Sequence, residues 1–337
     1  MPRLQGDENK MLNIKNFYNM SHNYRTAQLF FSALKLDIFS YLDEPISSDE
    51  IANKTGYNLR NLKLLLNALT SVDIIEKEND TYKNTEESKK YLSKNSTYYV
   101  GESLLFRQEM MMLDNIEKRI KVGPDKGIKA HNEGYRVYDF AKLAEVNIPD
   151  LYLWHIEPLI KIADSIFQEK IPNKILDLGG GSGAMGIELA KKYSKSKVVI
   201  YEEQKVAEVA EKLVSKNNLE SKISVLKGNF IEDDIGKDYD FIIASGIIDF
   251  AKDHLNSFVK KLYNALNKNG FIYLITHGYD DEKLEPSNII LGWLSSHLDG
   301  LDILLPEKII ESAMEKGGFK LYSINKASGF NVKVYQK

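Results

Sequence analysis

Three patterns of apolar and polar positions succeed one another along the chain. The first, up to about residue 100, holds "AQLFFSALKLDIFSYL" and "LRNLKLLLNALTSVDIIEKENDTYKNT", where apolar residues recur at helical spacing. Between them lies "SSDEIANKTG", in which Ser47 or Ser48 is placed to cap a short helix and Gly56 to end it. "IIEKENDTYKN" then reads as a β-hairpin turning at Asn79-Asp80. Three short helices followed by a small β wing make a winged-helix module, assigned to residues 11–100.

The second pattern stays helical from about residue 101 to 170, with apolar faces in "MMMLDNIEKRI" and "LYLWHIEPLIKIADSIF". The three methionines read as packing filler rather than as a cofactor contact. From Lys174 onward the pattern changes again: "KILDLG", "KVVIYE", "ISVLKGN", "YDFIIASG" and "FIYLITHG" read as strands with amphipathic helices between them. That alternation implies a doubly wound parallel sheet with right-handed crossovers. At the end, "FKLYSINKA" and "FNVKVYQK" are joined only by "SG", which demands an antiparallel hairpin. The fold class is therefore α/β, a Rossmann-like sheet with a terminal antiparallel hairpin over residues 101–337, leading helices included, preceded by the winged helix.

Composition narrows the function. A chain of 337 residues with 43% hydrophobic and 28% charged content is globular and long enough for two domains. The net charge of −3 argues against a broad basic surface for nucleic acid. The absence of cysteine excludes disulfides, thiolate metal sites and cysteine nucleophiles, and fits a reducing, cytoplasmic setting. "MPRLQGDENK" lacks the apolar core of a secretory signal, no run is long enough to span a bilayer, and the start is open between Met1 and Met11. The six histidines show no metal-ligand spacing, so no catalytic metal is expected.

The candidate chemistry begins at "KILDLGGGSGAMGIELA". Its glycines fit the dinucleotide fingerprint twice over, which is weak evidence for any one nucleotide. In a sheet of this kind the ligand sits at the carboxyl ends of the first strands, where Gly179 to Gly183 let the backbone come close. A nicotinamide dinucleotide and S-adenosylmethionine both use that crevice. Asp177, in D-x-G-x-G-x-G, suits an ammonium group or an ordering hydrogen bond better than a phosphate. Glu202 ends the second strand, where its oxygens can accept from both ribose hydroxyls, although this suits NAD as well. The terminal hairpin is unusual in dehydrogenases, and the balance favours S-adenosylmethionine.

"ILDLGGGSGAMGIELAKKY", "YEEQKVAEVAEK", "GNF", "IIDFAKDHLNSFVKKLYNALNKNGFIYLI" and "PEKIIESAMEKGGFKLYSI" resemble, in order and spacing, the conserved blocks of small-molecule O-methyltransferases with an N-terminal winged-helix dimerisation domain. The family includes caffeate, acetylserotonin and polyketide-tailoring methyltransferases. "LKLDIFSYL" through "LLLNALTSVDIIEK" looks like its dimerisation module, so the resemblance covers nearly the whole chain. It implies a homodimer that binds S-adenosylmethionine through Asp177, Gly179, Gly180, Gly181, Gly183, Glu202, Asn229, Phe230 and Ser245, and methylates a small organic molecule. In "GNF" the family usually has an Asp, contacting the adenine amino group; here the side-chain oxygen of Asn229 is expected to accept that hydrogen bond.

One block departs from the family. Where the family reads L-H-D-W, its His removing the substrate hydroxyl proton, this chain reads Ile247-Ile248-Asp249-Phe250. An isoleucine cannot accept a proton, and the supporting acidic residue of the family falls at Thr276. A positioned base is worth about 10²–10⁴-fold, so its loss opens several readings: another base, a carbon, nitrogen or sulfur acceptor, proximity alone, or no methyl transfer. His277 is the nearest substitute, but one position past Thr276 strand alternation turns it to the opposite face. Asp249 is expected either to orient a base or substrate or to cap a turn. Tyr152, Trp154, Ile248 and His297 are the expected lining of the acceptor pocket, with core packing the alternative for the aromatics. The first reading is O-methylation of a small, partly aromatic or apolar molecule in biosynthesis. Its rivals are a cofactor-bound hydroxylase, decarboxylase or pericyclase of the same fold, and a winged-helix DNA-binding regulator.

Overall fold

The computed structural model describes residues 14–124, 138–168, 170–325 and 332–337. The chain forms two compact units, Met1–Leu105 and Phe106–Lys337.

The first unit combines the helices Ile14–Lys35, Ser48–Thr55 and Leu59–Ser71 with a small sheet of β1 (Ile46–Ser47), β2 (Ile75–Glu78) and β3 (Thr81–Asn84), ordered β1-β3-β2. Ser47 caps the second helix with Glu50 completing a reciprocal capping box, and Gly56 ends it at φ 74°. β2 and β3 pair antiparallel around Asn79, which turns at φ 53°. Ile38, Phe39, Leu62, Leu66, Leu69 and Tyr82 fill the core. The first helix begins earlier than the apolar pattern suggests, at Ile14, and only Ala33 and Leu34 of its 22 residues are buried.

The second unit is built on seven strands: β4 (Lys174–Leu178), β5 (Lys197–Glu202), β6 (Ile223–Lys227), β7 (Tyr239–Ser245), β8 (Leu266–Ile275), β9 (Lys320–Asn325) and β10 (Val332–Gln336). Their order is β6-β5-β4-β7-β8-β10-β9. The first five are parallel, and β10 runs antiparallel to both β8 and β9, so the end of the chain is the hairpin that its short connection requires. The "SG" of that connection lies outside the described residues, as does His131. β8 starts five residues before "FIYLI": Leu266 pairs with Tyr239, Asn269 turns at φ 64°, and the register shifts between Tyr239 and Phe241 before pairing resumes at Phe271. Strand order reverses between β4 and its neighbours β5 and β7, which opens the crevice at the carboxyl end of β4. Among the described residues no helix is long and apolar enough to cross a membrane.

Candidate active site

The glycine loop follows β4 directly. Gly179, Gly181 and Gly183 have φ of 64°, 58° and 76°, a backbone that L side chains rarely adopt. A Cβ on Gly179 would lie 2.2 Å from Ile247 Cγ2, so this glycine lets the loop lie against the segment after β7. Gly181 is different, since a Cβ there would meet only Ala144 Cβ, at 3.8 Å. The loop leads into the helix Ala184–Lys192, and Gly186 N donates to Asp177 Oδ2 at 2.9 Å. Asp177 thus makes the ordering hydrogen bond of its two expected uses, and burial raises its pKa to about 6.

Glu202, at the end of β5, ties the loop from the other side. Its Oε1 accepts from Gly181 N at 3.1 Å and its Oε2 from Glu203 N at 2.6 Å. Burial still dominates and pushes its pKa up to about 7. Beyond β6, Asn229 Oδ1 accepts from Ile231 N at 2.9 Å and Glu232 N at 3.4 Å. That oxygen closes a turn at the carboxyl end of β6, where the sequence expects it to meet the adenine amino group. Lys261 Nζ binds the carbonyls of Phe230, Ile231 and Asp233 at 3.3, 2.6 and 2.6 Å, fixing the same loop, and Phe230 packs against Phe258.

The region after β7 holds the main departure from the sequence reading. Ser245 ends that strand, and Gly246 N donates to Ile275 O on β8 at 2.9 Å. Ile248 is 0% exposed and belongs to the core under the sheet with Leu255, Phe258 and Leu274, so it does not line a pocket. Asp249 makes no cap to the 3₁₀ turn Ile248–His254. Instead its Oδ2 accepts from both the backbone N and the Nδ1 of His277, each at 3.1 Å. β8 ends at Ile275, so alternation no longer governs His277, and its ring turns back over the strand ends toward Asp249. The side chain of His277 is 26% exposed and that of Asp249 0%.

Aromatic rings that the sequence did not single out stand beside this pair. Trp293 meets the His277 ring edge-on at 5.1 Å, and Tyr138 and Phe250 lie 6.0 and 6.3 Å from Trp293. Phe140 closes the group at 5.6 Å from Phe250, over Leu301, Ile303 and Met110. The expected pocket aromatics are elsewhere. Tyr152 and Trp154, on the short helix Ile148–Trp154, are 45% and 57% exposed, and Tyr152 Oη donates to Glu188 at 2.8 Å. They are neither core nor part of the His277 group. His297 is half-buried, 3.8 Å from Asp302, and burial lowers its pKa. Among the described residues its Nε2 has no hydrogen-bond partner.

Comparison with known proteins now decides the family. A family model of the O-methyltransferase domain matches residues 148–289, and one of the O-methyltransferase dimerisation domain matches residues 18–94. The chain belongs to the O-methyltransferase family. As a member it is an S-adenosylmethionine-dependent methyltransferase. It is similar to acetylserotonin O-methyltransferase of Bos taurus, 23% identical over 288 residues, covering 80% of this chain and 82% of the relative. An uncharacterised protein of Methanocaldococcus jannaschii is 26% identical over 288 residues, covering 82% and 75%. Human N-acetylserotonin methyltransferase, solved in complex with S-adenosylmethionine, shares the fold of this O-methyltransferase at a TM-score of 0.76 and 19% identity, covering 98% of this chain and 99% of that one.

Proposed function

We propose that this O-methyltransferase moves a methyl group from S-adenosylmethionine to a hydroxyl of a small, flat, apolar molecule. The observation that supports it is the run of aromatic edges, Trp293, Phe250, Phe140 and Tyr138, beside a half-open imidazole on the same sheet edge as the glycine loop. Aromatic walls of this kind favour a planar apolar guest. Incubation of cell extract with methyl-deuterated S-adenosylmethionine should give one small product carrying one labelled methyl on oxygen, identified by mass spectrometry and NMR. A methyl on carbon, nitrogen or sulfur would overturn the acceptor, and conversion without any label would favour a cofactor-bound enzyme of another reaction.

The residues present fit the cofactor. Among the described residues Ser182 Oγ, in the glycine loop, is buried with no hydrogen-bond partner, and burial of Glu202 outweighs its two backbone donors in raising its pKa. S-adenosylmethionine supplies the electrophilic methyl group and brings two ribose hydroxyls and an ammonium as donors. Asp177, Gly179, Gly180, Gly181, Gly183 and Glu202 would hold it, with Phe230, Ser245 and the turn at Asn229 completing the crevice. Glu202→Ala should weaken cofactor binding by about 1–3 kcal/mol, the scale of charge-assisted hydrogen bonds to two hydroxyls.

The sign of the pH effect follows from Glu202. Hydroxyl donors favour its ionised form, so binding expels the proton that burial retains up to about pH 7, and affinity rises as pH rises toward that value. Without ligand, a carboxyl raised from its ordinary 4.5 to about 7 costs stability as pH rises between those values. Calorimetry at pH 6 in two buffers of different ionisation heat should show proton release, absent in Glu202→Gln. No difference between the buffers would place Glu202 away from the ribose.

The same reading makes the protein a homodimer through its N-terminal residues. Phe17, Tyr18, Met20 and Tyr24 stand exposed on the first helix, and Leu59 and Leu64 stand exposed beside Arg60 and Lys63 on Leu59–Ser71, the helix that would read DNA in a regulator. Exposed apolar side chains on both helices suit a protein partner. Light scattering should give a dimer mass at micromolar concentration, and Phe17→Glu with Tyr24→Glu should shift it toward monomer. A wild-type monomer would count against the assignment.

A further inference from the structure

We infer that His277, held by Asp249, is the proton acceptor of the reaction, in a chain whose family position for that role is the buried Ile248. The inference rests on the reading of methyl transfer to a hydroxyl. An ionised carboxylate only accepts hydrogen bonds, so the 3.1 Å contact with Asp249 Oδ2 places the imidazole proton on Nδ1 and leaves the lone pair on Nε2. The second bond to the same oxygen, from the backbone N of His277, fixes the ring relative to its own strand end.

Three further observations agree. Gly246 sits at φ 70° under the ring, and a Cβ there would come within 3.2 Å of His277 Cε1, so the glycine leaves the imidazole its room. The next residue, Ile247, packs on Gly179, so that the histidine and the cofactor loop share one short stretch of backbone. Among the described residues Asp249 Oδ1 is buried with no donor, so the carboxylate draws its compensation from His277 and gains most when the ring becomes cationic. The other charges nearby compensate one another: Glu307 takes the hydroxyl of Thr276 at 3.1 Å and pairs with Lys333, which also binds Glu311 at 2.6 Å.

The step balances. The acceptor hydroxyl gives its proton to Nε2 as its oxygen pair forms the new bond to the methyl carbon. The pair of the old carbon–sulfur bond stays on sulfur, which passes from cation to neutral thioether, and the imidazolium later releases its proton to water. Asp249 is a positioning residue in this scheme.

The test follows label from methyl-tritiated S-adenosylmethionine into organic-extractable product in cell extract, for wild type, His277→Gln, His277→Ala and Asp249→Asn. Both His277 variants should lose about 10²–10⁴-fold in turnover, with the dissociation constant for S-adenosylhomocysteine unchanged. Added imidazole should partly rescue His277→Ala and leave His277→Gln unchanged. A readout independent of turnover is the ¹⁵N spectrum: the wild-type ring should be the Nδ1-H tautomer, lost in Asp249→Asn. A folded His277→Gln protein that makes O-methyl product at near wild-type rate overturns the assignment alone, as does an Nε2-H wild-type ring. A methyl found on carbon, nitrogen or sulfur, or no label transferred by wild type, overturns the hydroxyl reading and the assignment with it.

Discussion

Gly179→Val should remove measurable binding of S-adenosylmethionine and lower the melting temperature by about 4–24 °C. Two costs add at this position. The backbone sits at φ 64°, where a β-branched residue costs about 1–3 kcal/mol, and its Cβ would lie 2.2 Å from Ile247 Cγ2, an overpacking worth about 1–3 kcal/mol more. At about 2–4 °C per kcal/mol for a unit of this size, the melting shift follows. Relief requires the loop to leave Ile247, and the loop carries Gly181, whose N–H is bonded to Glu202. Gly181→Ala is the control, because it shares the positive φ of 58° but meets nothing closer than 3.8 Å. It should cost only the backbone strain. Calorimetry and thermal melts decide the matter, and wild-type affinity in Gly179→Val would mean that contact with Ile247 does not hold the loop in its binding form.

The parts of the fold legible in the sequence are those set by neighbours along the chain. Ser47, Glu50 and Gly56 bound a helix whatever surrounds it, and the short stretch between the last two apolar strands leaves β9 and β10 no arrangement but a hairpin. The glycine loop was legible for the same reason, since its three left-handed positions lie within five residues. The start of β8 at Leu266 was not, because "LNKNG" is a poor strand former and only its first residue pairs with β7, across a shift of register. Tyr152 shows the same limit: its aromatic ring suggested a pocket or a core, and a carboxylate on a neighbouring helix, Glu188, gives it a surface role.

The candidate site was legible as a collection of residues and not as an arrangement. His277 and Asp249 could each be named from the family blocks, but strand alternation pointed the histidine away, and that rule ends with the strand at Ile275. What turns the ring is a carboxylate 28 positions earlier in the chain. The aromatic wall is harder still, as Tyr138, Phe140, Phe250 and Trp293 come from three separate segments and each alone reads as ordinary packing. One signal was available. Trp293 and His297 are four apart on the helix Ser287–Leu298 and share a face, a spacing from which the tryptophan could have been inferred but was not.

Restoring the family's histidine should fail. Ile248→His places an imidazole where the native side chain is 0% exposed, among Leu255, Phe258 and Leu274, and none of these offers it a side-chain hydrogen bond. Burying an unpartnered polar ring costs about 1–3 kcal/mol, and lost packing adds to it, so stability should fall by about 2–4 kcal/mol. The loss should deepen at low pH, because a histidine buried neutral takes up its proton only on unfolding, and the unfolded state gains as protons become available. Turnover should not improve, and in His277→Ala the added Ile248→His should not recover it, since a ring packed under the sheet cannot reach an acceptor at its edge. Denaturant melts at pH 5.5 and 8 measure the first effect, and label transfer by the double variant measures the second. Recovery of turnover in that double variant would show that residue 248 faces the reaction after all, and that the histidine at 277 is one of two interchangeable places for the base.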